Sequence, residues 1–132
     1  MAQVQTPWES QIKDTAGKPL HVSVTKMGVG GIPYDEETEE IWTLGSAVER
    51  ALTGRYQDEP ALDGEEKFKR GALALHLAGK TGLVELTAEE LVLIKRLTGK
   101  AFGPVMVARL WQMLEAKPGQ PAGQEEGRKP RK

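Results

Sequence analysis

Two pairs of adjacent glutamates are the residues of this sequence whose type and spacing best suit acid–base chemistry. Glu65/Glu66 and Glu89/Glu90 supply carboxyl groups of the kind that act as general acids and bases. Each pair also falls at the predicted beginning of a helix, where the positive end of the helix dipole stabilises negative charge. Helix capping therefore accounts for both pairs without a reaction.

The two histidines, His21 and His76, are the other candidates for a base or a metal ligand. Neither has a histidine, cysteine or acid at the spacing that a metal site requires, and the chain contains no cysteine for thiol chemistry. We therefore predict no catalytic residue, no metal site and no cofactor, which means that the protein is not an enzyme. An acid–base site assembled from distant glutamates or histidines is the alternative.

Two further patterns resemble binding motifs but lack the residues on which those motifs depend. Residues 28–31 (Gly-Val-Gly-Gly) have neither the third glycine of a dinucleotide fingerprint nor the lysine of a P-loop. The last predicted helix, considered as a DNA-recognition helix, has only Arg109 and Gln112 to contact base edges. We interpret the first as a plain loop and the second as a core helix.

The overall composition is that of an ordinary globular chain. It has 132 residues, of which 18 are basic and 19 acidic, and a net charge of -1, which argues against nucleic-acid binding by the whole domain. Its beginning lacks the basic start and apolar run of a signal peptide. Its apolar stretches reach only about four residues, whereas a membrane-spanning helix needs ~20. We predict a cytoplasmic protein that does not associate with a membrane.

Charge is spread unevenly and divides the chain into three parts. Residues 1–42 carry a net charge of -4, residues 43–116 are neutral, and residues 117–132 carry +3. We predict one globular domain over residues 1–116, in which a strand and loop region precedes a helical core. The last part has no large apolar residue and is typical of a disordered tail. Its candidate contacts for nucleic acid are Arg128, Lys129, Arg131 and Lys132.

The first part predicts a small β element. Residues 20–27 alternate apolar and polar side chains and are rich in β-branched residues, as in a strand with one buried face. Glycines and a proline at 28–33 end this strand in a loop. The acidic run 34–40 is predicted to be a solvated loop, and residues 41–44 a short second strand.

Capping signals predict four helices in the second part. In two of them a glutamate, Glu66 or Glu90, stands three residues after the capping residue, as in a capping box. The helices are expected over residues 44–52 after Thr43, from Asp63 to Gly79, from Thr87 to Gly99, and from Pro104 to a position before Pro118.

Apolar stripes predict which helix faces are buried. The third helix, with four consecutive apolar residues at 91–94, is expected to be the most central. In the second helix the predicted buried stripe is Phe68, Gly71, Ala72 and Leu75. The fourth helix has more apolar side chains than one buried stripe requires, so either the helix lies more centrally in the core or one face meets a protein partner. The candidate interface residues are Met106, Trp111 and Met113.

These elements together predict the fold class. The chain is expected to be α+β and mostly helical, with a four-helix core, a small N-terminal β element and a disordered C-terminal tail.

Three segments of the chain share their order and motifs with a known class of proteins: TLGSAVERAL, LDGEEKFKRGALAL and VELTAEELVLIKRLTGKAFGPVMVARLWQMLE. Through them the chain resembles small, uncharacterised accessory proteins encoded by tailed bacteriophages and prophages. The resemblance covers about residues 43–115 and leaves out the first third and the tail. It implies an accessory protein without known enzymatic activity in the host cell, and it assigns no site residues.

The sequence therefore favours a small non-catalytic protein that acts by protein–protein contact, binding or regulating a host factor. One alternative is a virion or assembly component that works by self-association. The other is a nucleic-acid-associated protein that uses the basic tail, although nucleic acid is not the expected partner of a chain with so little net charge.

Overall fold

A computed structural model describes residues 2–59 and 61–116. Within these residues the fold consists of four strands, four α-helices and one 3₁₀ turn, and the predicted α+β class is confirmed. In chain order they are β1 (Ala2–Val4), β2 (His21–Met27), the 3₁₀ turn (Val29–Gly31), β3 (Pro33–Ile41), α1 (Leu44–Thr53), α2 (Gly64–Leu77), β4 (Val84–Leu86), α3 (Ala88–Ala101) and α4 (Pro104–Glu115). The predicted tail, residues 117–132, lies outside the described residues.

The predicted helix starts are confirmed by their hydrogen bonds. Thr43 and Thr87 each cap a helix through a reciprocal capping box, the first with Ser46 and the second with Glu90. Asp63 caps α2 by accepting a hydrogen bond from the backbone N–H of Glu66. These caps satisfy backbone donors that the first turn of a helix leaves unpaired.

The predicted end of the third helix at Gly99 is wrong, because α3 continues to Ala101. A glycine inside a helix costs only about 1 kcal/mol relative to alanine. The additional turn is held by a hydrogen bond from the Phe102 N–H to the Thr98 carbonyl, and Pro104 then begins α4.

The most buried helix is α1 and not, as predicted, α3. α1 packs against both α2 and α3, whereas Val92 of α3 is 66% exposed. Small residues at two of the buried positions of α1 allow its neighbours to approach closely. Its buried residues are Leu44, Ala47, Val48, Ala51 and Leu52.

Residues 2–14, here called the N-terminal strap, complete the core although they show no apolar periodicity. β1 pairs antiparallel with β4, and the Thr6 hydroxyl donates to the Met113 carbonyl oxygen at 2.8 Å. Trp8 and Ile12 are 2% and 0% exposed. The strap therefore contacts β4, α1 and α4 and closes the end of the helical core.

The acidic run at 34–40, predicted to be a loop, is part of β3. β3 pairs antiparallel with β2 from Met27↔Pro33 to His21↔Ile41, with one irregularity after His21. Both faces of this two-stranded ribbon are open to water, so its carboxylates remain hydrated. Two of them also interact across the strands, Glu36 with Lys26 and Asp35 with Thr25. In place of the short second strand predicted at 41–44, Ile41 ends β3, Thr43 forms an isolated antiparallel bridge with Gln11, and Leu44 begins α1.

Candidate protein-interaction surface

A cluster of charges joins the segment after α1 to α2 and α3. Both carboxylate oxygens of Glu59 accept hydrogen bonds from the Arg70 guanidinium, at 2.8 and 3.0 Å, and Lys100 Nζ lies 2.6 Å from Oε2. Arg70 is only 4% exposed, and its Nε donates to Glu66 at 3.1 Å. The side chain of Glu66 therefore contacts Arg70 and does not complete the predicted capping box.

This cluster stabilises the fold and does not present a free acid or base. The Arg70 guanidinium and, next, the Lys100 ammonium hydrogen-bond to the Glu59 carboxylate and lower its pKa from 4.5 to about 2. Beside the cluster an open cavity of about 640 Å³ is lined by Leu52, Tyr56 and neighbouring residues. A carboxylate held ionised by two cations is a poor proton acceptor at neutral pH.

The burial of Arg70 also explains why the predicted stripe of α2 is wrong. The face that packs on the core carries Arg70, Leu73, Ala74 and Leu77. Phe68 and Leu75, predicted to be buried, are 74% and 80% exposed. α2 has apolar residues on two opposite faces, and the ion pair with Glu59 permits the face that contains the arginine to turn inward.

The three predicted interface residues of α4 occupy different environments. Met113 is buried in the core and Met106 packs partly against it, so neither forms an open surface. Trp111 is 36% exposed, but its Nε1 donates to Thr98 Oγ1 at 3.3 Å and Lys95 Nζ lies 4.9 Å from its ring centroid. Packing within the domain therefore accounts for most of the apolar surplus of α4.

We expect Trp111→Ala to lower the free energy of unfolding by about 2 kcal/mol, because the ring packs on α3 and contacts Lys95. Gln112→Ala, an exposed change on the same helix, should alter it by less than about 0.5 kcal/mol. Urea titration followed by circular dichroism measures both. Equal effects would show that the ring contributes nothing to the fold and is available to a partner.

The largest group of exposed apolar side chains in the described chain belongs instead to the hairpin formed by residues 21–41. Among the described residues, eleven large hydrophobic side chains are exposed, and five of them belong to this hairpin. Neither β2 nor β3 makes an extensive contact with another element of the described chain. The five side chains are Val24, Met27, Val29, Ile32 and Tyr34.

The turn of the hairpin holds its apolar side chains away from the domain. Gly30 and Gly31 both have φ of +77°, a conformation that glycine adopts without strain. The Gly28 N–H donates to the Ile32 carbonyl at 2.8 Å and closes the turn. Val29 is consequently 96% exposed and Ile32 68%. The glycine run, interpreted from the sequence as a plain loop, forms the turn of this hairpin.

The hairpin is also strongly acidic. It carries Lys26 against five carboxylates, all on β3. Exposed apolar side chains next to a cluster of negative charges form a surface that complements a basic, apolar face of another protein. The carboxylates are Asp35, Glu36, Glu37, Glu39 and Glu40.

The residues considered for catalysis are not brought together. Glu65 and Glu66 stand in the first turn of α2, and Glu89 and Glu90 in that of α3, as capping predicted. The Nδ1 atom of His21 lies 2.9 Å from the Thr38 carbonyl oxygen at the base of the hairpin.

The remaining candidate residues named from the sequence are His76 and the basic residues of the tail. His76 is exposed near the end of α2. The basic residues Arg128, Lys129, Arg131 and Lys132 lie outside the described residues.

No metal centre and no membrane span occur in the described part of the chain. No group of three or more histidine or acidic side chains there is arranged to hold a metal ion. No helix among residues 2–59 and 61–116 combines the length and the apolar character needed to cross a bilayer.

Comparison with known proteins identified no related protein. No family model matches the sequence, and no curated protein or solved structure matches the chain significantly. The resemblance to phage accessory proteins rests on the three quoted segments alone.

Proposed function

We propose that this protein is a non-catalytic binding protein that docks on another protein through the hairpin of residues 21–41. The supporting observation is the apolar turn of an element that contacts little else in the domain. A hairpin of two strands is marginally stable by itself in water. The side chains of Met27, Val29 and Ile32 are mostly exposed and therefore contribute little buried apolar area to the domain. Contact with a partner explains their presence.

The charges of the hairpin indicate the chemistry of the partner. Pairing of two hairpins through their β3 edges would bring the carboxylates of both copies together, and acidic edges oppose such self-pairing. A partner surface with lysines or arginines around an apolar pocket complements them instead. Given the phage resemblance, we propose a bacterial host protein with such a face, which this chain would bind or regulate.

Site-specific photo-crosslinking in bacterial cells tests this proposal. A photoreactive phenylalanine analogue at Val29 should give one discrete adduct, and Glu36→Lys with Glu37→Lys in the same chain should abolish it. The analogue at Leu83, an exposed apolar residue outside the hairpin, is the matched control. Absence of an adduct at 29, or the same adducts from 83, would contradict the proposal.

The apolar turn should be dispensable for folding. Val29→Ser combined with Ile32→Ser is expected to change the free energy of unfolding by less than about 0.5 kcal/mol, because both side chains are mostly exposed. The same double variant should lose the crosslinked partner when the analogue is placed at Met27. A large loss of stability in urea would instead assign these residues to the fold.

A further inference from the structure

The outward face of α2 carries an apolar stripe whose two large side chains are mostly exposed. Phe68 and Leu75 lie two turns apart and are 74% and 80% exposed, and the half-buried Gly71 and Ala72 lie between them. At 100° per residue these four share one face, about 180° from the buried face that contains Leu73 and Leu77. The helix is thus apolar on two sides, as expected of a helix that packs on two neighbours.

The stripe is symmetric about the point between Gly71 and Ala72. Its order is large, small, small, large, so a second copy running antiparallel places Phe68 of one chain beside Leu75 of the other. Gly71 and Ala72 then face each other, and their small side chains allow the helix axes to approach to roughly 8 Å. A Cβ at Gly71 would meet nothing within 4 Å, so this middle section is open to a neighbour.

Polar side chains beside the stripe also match one another when two copies pack antiparallel. Glu65 and His76 lie on one flank of α2, and antiparallel packing brings Glu65 of one chain near His76 of the other. A groove of about 740 Å³ follows this flank between α2 and α3, with Ala72, Leu73 and Leu93 among its lining residues. Its charged residues are of both signs: Glu66, Glu89 and Glu90 are acidic, and Lys69 and Arg96 are basic.

We propose that two copies of this chain form a two-fold symmetric dimer by antiparallel packing of their α2 stripes. The symmetric order of the stripe suits a second copy better than an unrelated partner, because a two-fold axis places each position of one copy opposite its symmetry-related position in the other. The dimer uses a face separate from the hairpin, so it does not depend on the proposed docking function. The dimer would carry two hairpins and would bind more tightly to a partner that has two or more copies of the docking site.

Light scattering after size exclusion, from about 1 to about 500 μM, measures the dimer directly. The chain has a mass of 14.5 kDa, and the wild type should approach twice that value as concentration rises. Leu75→Glu should leave only monomer, and Phe68→Ser should weaken association roughly tenfold or more. Val92→Ser, on α3, and the double hairpin variant Val29→Ser/Ile32→Ser should both dimerise as the wild type does.

Single cysteines test the antiparallel orientation, since the chain contains none of its own. Ala72→Cys places the two thiols at the two-fold axis and should form an intermolecular disulfide under mild oxidation. Glu65→Cys places them about 20 Å apart along the helix axes and should not. Circular dichroism should show unchanged folding, because the substituted side chains face solvent in the monomer.

Three results would each overturn the proposal. They are a monomer at every concentration, a dimer that withstands Leu75→Glu, and a disulfide that forms through residue 65 as fast as through residue 72. Because the hairpin variant tests docking and the α2 variants test dimerisation, the failure of one proposal is distinguishable from the failure of the other.

Discussion

Replacing Glu59 by glutamine is expected to lower the free energy of unfolding by about 3 kcal/mol. The variant keeps the shape of the side chain but leaves the guanidinium of Arg70, only 4% exposed, without its main counter-charge. Lys100 loses the same partner, which lies 2.6 Å from its Nζ. Urea titration at pH 7 measures the loss. Glu49→Gln, an exposed change on α1, is the matched control and should have an effect below about 0.5 kcal/mol.

The same carboxylate should make the fold sensitive to acid. Its pKa falls from 4.5 to about 2 on folding because Arg70 and Lys100 favour the ionised form. A lowered pKa contributes stability that is complete above about pH 4.5 and is lost as the pH falls toward 2. Urea midpoints of the wild type should therefore decline across this window more steeply than those of Glu59→Gln. Parallel declines would show that Glu59 is not the group responsible.

Gly45→Ala should destabilise the protein by about 2 kcal/mol, although alanine is the better helix former. A Cβ at Gly45 would lie 2.6 Å from Trp8 Cδ1 and 3.2 Å from the Trp8 carbonyl oxygen, which is backbone and cannot rotate away. The Gly45 N–H also donates to that carbonyl at 2.8 Å, which holds the two segments together. Overpacking of a filled core costs about 1–3 kcal/mol, and alanine recovers little of this here, because its propensity advantage applies to helix interiors and Gly45 is the second residue of α1.

Gly64→Ala provides the comparison for this prediction. Gly64 also stands in the first turn of a helix, but a Cβ there would meet nothing within 4 Å. This variant should be neutral or more stable by up to about 1 kcal/mol. Thermal unfolding of the two variants side by side measures the difference. Equal midpoints would mean that Trp8 does not lie against α1 as described.

The sequence predicted the helix starts because capping is local chemistry. Thr43, Asp63 and Thr87 each bond to a backbone N–H three residues away, so spacing alone reveals them. These predictions needed no knowledge of tertiary contacts.

The inward face of α2 could not be read in the same way. The helix offers two apolar faces, and the choice between them depends on Glu59 meeting Arg70 across eleven positions. Trp8 is a single aromatic residue in a segment without period, so its burial under α1 had no local signal. The acidic residues of β3 have low intrinsic preference for strands, and pairing with β2 decides their conformation.

The N-terminal strap imposes an order of events on folding during synthesis. Thr6 donates a hydrogen bond to Met113, which lies 107 positions later in the chain. Glu9 accepts one from Gly82, which lies 73 positions later. At roughly 5–20 residues per second, a ribosome would deliver these partners several seconds after the strap itself has emerged. Trp8 can contact Gly45 of α1 early, but the contacts of the strap with β4 and α4 form only after those elements are made. The strap therefore completes its docking last, and a nascent chain interrupted before α4 would lack the hydrogen bond that ties Thr6 to the last helix.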